Sequence, residues 1–122
     1  MMIKFLTTIL LTAGTFSALA QVACPSFEIA IDASLKEIAQ NYSDSMFETS
    51  AIRAAYQQSK ISNELALINI NVALMAQNKC APLKAPPTFT HYLPDATQCG
   101  TALVQREKNP PACDRKNWKQ DK

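Results

Sequence analysis

Residues 46–79, MFETSAIRAAYQQSKISNELALININVALMAQNK, contain neither proline nor glycine and decide the fold of this chain. Apolar side chains recur through this stretch at alternating steps of four and three residues. That spacing is typical of an α-helix whose apolar side chains share a face. We therefore predict a long helix over residues 45–79, which at 1.5 Å per residue would measure about 50 Å.

Two sets of apolar residues lie on nearly opposite faces of this predicted helix. The first set is Phe47, Ala51, Ala54, Ile61, Leu65, Ile68, Val72 and Met75, with Gln58 as its polar member, and the second is Ile52, Tyr56, Leu67, Ile70 and Leu74. We expect a preceding helix to cover one face and the C-terminal segment to cover the other. The alternative is that one face meets a partner protein or a second copy of the chain. A strand at residues 67–72 is a further alternative, but no comparable strand exists to pair with it.

If a face stays uncovered, the second set offers the candidate partner surface, through Tyr56, Leu67, Ile70 and Leu74. One aromatic and three aliphatic side chains on one helix face are the kind of anchor that fits a groove or a second helix. The long helix therefore predicts a protein partner or self-association.

The flanking sequence predicts a helical hairpin and a third, shorter helix. A first helix over residues 26–40, with Pro25 in its first turn, would end at a break over residues 41–44. Ser45 and Glu48 then form a capping box for the long helix, which has an alternative break near residues 59–63. Beyond Cys80 the chain is rich in proline, and a short helix over residues 94–106 is expected to turn Ala96, Cys99 and Leu103 inward. A basic, partly ordered tail over residues 107–122 follows.

The first twenty residues have the features of an export signal. Lys4 supplies a positive start, an apolar run follows over residues 5–16, and Ala18-Leu19-Ala20 is a small-x-small cleavage site. We predict cleavage after Ala20, which leaves residues 21–122 as a single small helical domain. The apolar run is too short for a stable membrane anchor. We therefore expect an exported protein, periplasmic or extracellular.

All four cysteines lie beyond this segment, at Cys24, Cys80, Cys99 and Cys113, which predicts two disulfides in an oxidising compartment. A hairpin turning at residues 41–44 would hold Cys80 some 27 Å from Cys24, which disfavours that pair. We predict Cys80–Cys99 together with Cys24–Cys113. The alternative is Cys80–Cys113 together with Cys24–Cys99.

No catalytic, cofactor or metal motif is present in the sequence. There is no GxSxG, glycine-rich phosphate loop, HExxH or CxxC, and His91 is the single histidine. Met46, Met75 and His91 could be imagined as a copper site, but Met75 falls on the first apolar set. Glu28 and Asp32 share a helix face, which is commoner for exposed charges than for acid–base catalysis. A formal net charge of +2 gives no basis for nucleic-acid binding.

The sequence therefore predicts an all-α protein, with a small helical hairpin or three-helix arrangement, one long central helix, a proline-rich C-terminal segment and two disulfides. We expect it to act by protein binding rather than catalysis, as an inhibitor, immunity factor, envelope chaperone or subunit. A membrane-active or toxic secreted protein is the first alternative, and a small secreted enzyme is the second.

Overall fold

The computed structural model describes the backbone of residues 2–119 and the side chains of residues 23–119. Its helices are α1 (Met2–Phe47), α2 (Ala51–Gln77) and α3 (Leu93–Val104). Short 3₁₀ turns lie at Phe89–Tyr92, Pro111–Cys113 and Arg115–Asn117. Because no strand occurs over residues 2–119, the predicted all-α class is confirmed, and the strand alternative at residues 67–72 is wrong.

Helix α1 runs through the predicted break because the polar residues there satisfy their hydrogen bonds in helical geometry. The Nδ2 of Asn41 donates to the carbonyl four residues earlier at 2.8 Å, and the hydroxyl of Ser45 donates to the carbonyl three residues earlier at 2.7 Å. Ser43 is fully buried, and its hydroxyl donates to the carbonyl of Ala96 in α3 at 2.9 Å. These side chains support α1 or join it to α3, so the predicted end at residue 40 is wrong. Pro25 lies inside α1 instead of at its first turn.

The chain turns at residues 48–50, and α2 begins after Ser50. The Ser50 hydroxyl accepts the N–H of Arg53 at 3.4 Å, and the Ser50 N–H donates to the Glu48 carboxylate at 3.1 Å. Ser50 is therefore the helix cap, and the predicted capping box of Ser45 and Glu48 is wrong. From Ala51, α2 continues without interruption to Gln77, so the alternative break near residues 59–63 does not occur.

The position of this turn decides the disulfide pairing. Moving the turn from about residue 42 to about residue 49 shifts the position opposite any point of α1 by about 14 residues along α2. Cys24 consequently faces the end of α2, and its Cα lies 5.7 Å from that of Cys80. Cys99 pairs with Cys113, with 4.7 Å between the Cα atoms. The predicted hairpin is present. The predicted disulfide set, its alternative and the exclusion of Cys24–Cys80 are all wrong.

The end of α2 directs Cys80 toward α1. Asn78 donates both its backbone N–H, at 3.0 Å, and its side-chain amide, at 2.8 Å, to the carbonyl of Leu74. Lys79 then takes a positive φ of 56°, and this lets the N–H of Cys80 donate to the carbonyl of Met75 at 2.9 Å. The resulting reversal resembles the closing turn common at helix ends, and it brings the cysteine back over the hairpin.

Helix α1 is the central element of the packing. Its buried side chains meet α2 on one side and the C-terminal segment on the other. The buried hydrophobic residues are Ile31, Leu35, Ile38 and Ala39 of α1, Ile68 and Met75 of α2, and Tyr92, Ala96, Cys99 and Trp118 of the C-terminal segment. Because that segment packs on α1, the prediction that it covers the second face of α2 is wrong.

Helix α3 approaches α1 closely at the single glycine of the C-terminal half. A Cβ at Gly100 would lie 2.8 Å from the ring of Phe47 and 3.1 Å from the hydroxyl of Ser43. Ala96 and Cys99 turn inward as predicted, whereas Leu103 is 51% exposed and does not. The absence of a side chain at Gly100 therefore sets how near α3 comes to the end of α1.

The C-terminal segment is docked over its described length. The indole N–H of Trp118 donates to the carbonyl of Ala112 at 2.7 Å, and Trp118 is buried. The guanidinium of Arg115 forms an ion pair with Glu37 of α1, and the N–H of Lys119 donates to Asp95 at 2.9 Å. Together with Cys99–Cys113, these contacts hold residues 112–119 on α1 and α3.

We predict that Cys24→Ala/Cys80→Ala lowers the free energy of unfolding by about 4 kcal/mol and Cys99→Ala/Cys113→Ala by about 3 kcal/mol, because the first bridge closes the longer loop. Equilibrium urea unfolding of the oxidised proteins measures both values. A loss below about 1 kcal/mol for the first variant would contradict the pairing and its role in closing the hairpin.

A second prediction concerns the contact between α3 and α1. Gly100→Leu should destabilise the fold by about 1–3 kcal/mol, because its side chain has no room beside Phe47 and Ser43. Thr101→Leu, at the neighbouring exposed position, is the matched control and should change stability by less than about 0.5 kcal/mol. Thermal unfolding compares the two variants, and equal losses would contradict the close approach.

Candidate functional site

The side of α2 that faces away from α1 carries an exposed apolar surface. We call it the outer face, and it consists of Ile52, Tyr56, Asn63, Leu67, Ile70 and Leu74. Ile52 is 84% exposed, Tyr56 62%, Ile70 54% and Leu67 45%, while Leu74 is half-buried. All four residues of the predicted partner surface therefore lie on one face, and three of them are exposed.

The outer face has no charged side chain of its own. Helix α2 contains three charged residues, Arg53, Lys60 and Glu64, and helical spacing places all of them along one edge of this face. Residues 65–78 contain no charge at all. A helix surface left in water normally carries charged side chains, and a contiguous exposed apolar patch marks an interaction site.

The apolar residues of α2 that face α1, which are the first set described above, show how much of α2 the hairpin buries. Ile68 and Met75 are buried against α1, and Ile61 is half-buried beside them. Leu65 and Val72, which belong to the same set, are 47% and 39% exposed. The hairpin therefore buries a narrow strip of α2 and leaves apolar side chains exposed on both sides of it.

Two clefts flank the proline-rich loop over residues 82–87. The first, about 460 Å³, lies between this loop and the end of α2, where Val72, Met75 and Ala76 form its wall. The second, about 290 Å³, lies between the same loop and α1. Both share Leu83 and Lys84, so one loop, anchored by Cys80, separates the two spaces.

The ionisable groups beside the second cleft are tied to one another. The Tyr92 hydroxyl donates to the Asp32 carboxylate, and Lys36 Nζ lies 3.3 Å from the other oxygen of Asp32. Lys36 also lies 5.3 Å from the centre of the Tyr92 ring. These contacts join the 3₁₀ turn at Phe89–Tyr92 to α1. Glu28 and His91 line the same cleft, so Glu28 and Asp32 do share a surface.

A third cleft, about 320 Å³, lies at the hairpin end between α1, α2 and α3. Burial raises the pKa of Asp44 above its ordinary value, and the negative charge of Glu48 adds to this effect. A hydrogen bond from Gln40 and the positive charge of Lys60 oppose it. Gln57 Oε1 is buried there and has no hydrogen-bond partner among the described residues. This end of the hairpin therefore carries an electrostatic cost.

Burial acts on one further charged group, Arg115 of the C-terminal segment. It lowers the pKa of the guanidinium, which nevertheless stays charged and paired with Glu37. The partner is a carboxylate on α1, so the pair fixes the segment to the central helix.

The structure separates the residues of the imagined copper site. Met46 lies at the end of α1 beside the turn, whereas Met75 is buried near the far end of α2. His91 lines the second cleft. Over residues 23–119, no group of three or more His, Cys, Asp or Glu side chains is arranged to hold a metal ion.

Comparison with protein-family models, with curated proteins and with solved structures finds no match for this chain. No helix in the described part is both long enough and apolar enough to cross a membrane. The outer face and the clefts must therefore be interpreted from their own chemistry.

Sequence reasoning identified the outer face but missed the clefts. The three prolines of residues 82–87, so close to a cysteine, could have indicated a stiff loop standing off the helices. The cleft at the hairpin end left no comparable signal, because it depends on where the turn falls. Asp44 itself falls in the break predicted over residues 41–44, where nothing in the sequence indicates burial.

We predict that Asp44→Asn is more stable than the native protein at neutral pH. Because the pKa of Asp44 is raised by folding, its ionised form opposes folding above that pKa, and this cost disappears as the pH falls below the ordinary carboxyl value of about 3.9. The stability difference should therefore shrink to zero near pH 3 in urea titrations. A difference that grows as the pH falls would contradict the burial of this carboxylate.

Proposed function

We propose that this protein is exported and acts by binding another protein, holding an amphipathic helix of its partner against the outer face of α2. The observation that carries the proposal is that face itself, which is apolar, exposed and uncharged over most of its length. An inhibitor, an immunity factor, an envelope chaperone and a complex subunit would all work in this way.

Export is supported by the two disulfides and by the sequence of the first twenty residues. Bridges at Cys24–Cys80 and Cys99–Cys113 persist in oxidising compartments and are rare in the cytosol. The apolar run followed by Ala18-Leu19-Ala20 matches a cleavable signal. A protein of this kind would meet its partner in the periplasm or outside the cell.

A helical partner is favoured by the spacing of the outer face. Tyr56, Asn63 and Ile70 recur every seven residues, and Leu67 and Leu74 are seven apart on the adjacent row. Seven-residue spacing keeps side chains in line along a neighbouring helix. A lipid surface is disfavoured because Asn63 interrupts the centre of the apolar row.

The contacts beside the second cleft argue less for catalysis than for structure. Asp32 is engaged by both Tyr92 and Lys36, so this carboxylate is held in place by two partners within the fold. Neither contact leaves a nucleophile and base converging on a substrate position. Binding through the outer face is therefore the better supported function.

We predict that Ile70→Glu strongly weakens partner binding without unfolding the protein. Its side chain is 54% exposed, so the thermal midpoint should hold, while a buried carboxylate in the complex should weaken affinity at least about 30-fold. Asn69→Glu places the same charge on the adjacent exposed residue, off the outer face, and is the matched control.

The measurement uses a photoreactive benzoylphenylalanine at position 56 in protein expressed from the full chain and exported in the native cell. Ultraviolet cross-linking followed by mass spectrometry should identify a helical protein segment, and the product should disappear in Ile70→Glu but not in Asn69→Glu. Lipid adducts alone, or equal loss in both variants, would contradict the proposal.

A further inference from the structure

The outer face has an internal symmetry that a general binding surface would not need. Asn63 lies at its centre, with Tyr56 and Ile70 each seven residues away, and Ile52 and Leu74 each eleven residues away. Read in either direction from Asn63, the helix therefore presents one polar residue followed by large apolar residues at equal distances. Leu67 stands outside this symmetry, because Ser59 occupies the equivalent position.

We infer that the helix which binds the outer face is α2 of a second copy, packed antiparallel about a two-fold axis at Asn63. This inference rests on the proposed function, because it names the partner of that same surface. In a two-fold interface, if residue i of one subunit contacts residue j of the other, then residue j of the first subunit also contacts residue i of the second. Equal spacing on both sides of a central residue is what antiparallel self-pairing requires.

The pairing matches large apolar residues at two levels and polar residues at the axis, while Leu67 faces Ser59 of the partner subunit. Ile52 faces Leu74 of the partner subunit, Tyr56 faces Ile70 of the partner subunit, and the two Asn63 side chains meet at the axis. A side-chain amide has both donors and an acceptor, so two of them can hydrogen-bond to each other. One polar residue at a core position of a helix pair also fixes its register and orientation.

Charge complementarity supports the same arrangement. Lys60 and Glu64 lie along one edge of the outer face, and neither makes an ion pair within residues 23–119. Lys60 Nζ lies 4.8 Å from the Tyr56 ring centre, which holds its ammonium beside the face. In this antiparallel pair, Lys60 of one copy and Glu64 of the partner subunit differ by only about 3 Å in their positions along the helix axis. The two-fold axis creates this pair twice.

A second copy fits these observations better than an unrelated helix or a lipid surface. An unrelated helix would gain nothing from equal spacing around one residue. A lipid surface would leave Asn63 facing acyl chains without a hydrogen-bonding partner, which is costly. The second copy supplies that partner and the opposite charges together.

The first test is the size of the oxidised protein, expressed from the full chain, by analytical ultracentrifugation at micromolar concentration. We expect twice the chain mass. Asn63→Cys should then form a disulfide-linked dimer under mild oxidation, because the two residues meet at the axis. Asn69→Cys, exposed but off the outer face, is the control and should not. A peptide map confirms that Cys24–Cys80 and Cys99–Cys113 remain intact in both variants.

The second test needs no added cysteine. Lys60→Glu should weaken self-association at least tenfold, because it sets two carboxylates against each other, and Lys60→Glu/Glu64→Lys should restore it. A monomer, or a dimer that the double variant fails to restore and Asn63→Cys fails to link, would overturn the inference. If the chain is monomeric but the photoreactive residue at position 56 captures a different protein, the proposed function stands and the second copy is excluded.

Discussion

Both long-range packing partners of this fold, α2 and the C-terminal segment, bury their apolar side chains against α1. Ile38 and Ala39 of α1 are completely buried between them. Because a single helix supports both, the C-terminal segment is not available to cover α2. The exposure of the outer face follows directly from this division, since α2 is apolar on two faces and only one of them meets α1.

The helical class and the two apolar faces could be predicted from the sequence, because side-chain periodicity is a property of the chain itself. The helix boundaries could not be predicted, because Asn and Ser side chains can either end a helix or form hydrogen bonds within it. Asn41, Ser43 and Ser45 do not end α1, and their side chains form hydrogen bonds within it or to α3. Only the packing of Ser43 against Ala96 in α3 distinguishes the two outcomes, and that contact spans 53 residues.

The disulfide pairing illustrates how a local error grows in a hairpin. Each residue by which the turn moves shifts the facing position by two, so a misplaced turn of about seven residues was enough to move Cys80 out of reach of Cys24. The candidate binding surface did not suffer in this way. Its residues lie on one continuous helix, and their relative positions depend on helical geometry alone, not on where the turn falls.

The loop over residues 82–87 and the hairpin end represent different uses of the same scaffold. At the loop, the prolines restrict the backbone and the Cys24–Cys80 bridge holds the residue before the loop in place. The loop is therefore stiff, and a cleft lies on each side of it. At the hairpin end, the buried carboxylate of Asp44 and the unpartnered oxygen of Gln57 make the packing less favourable. The loop is therefore a well-fixed part of the structure, and the hairpin end is a less stable one.

The bridge between Cys24 and Cys80 makes α1 and α2 parts of one covalent ring that passes through the exposed turn at residues 48–50. A protease that cuts this ring once at Thr49 would not release either half, because the sulfurs still join them. The nicked molecule would migrate as a single band until a reductant is added. Cleavage at this exposed residue would therefore leave both helices, and the surface they carry, held together.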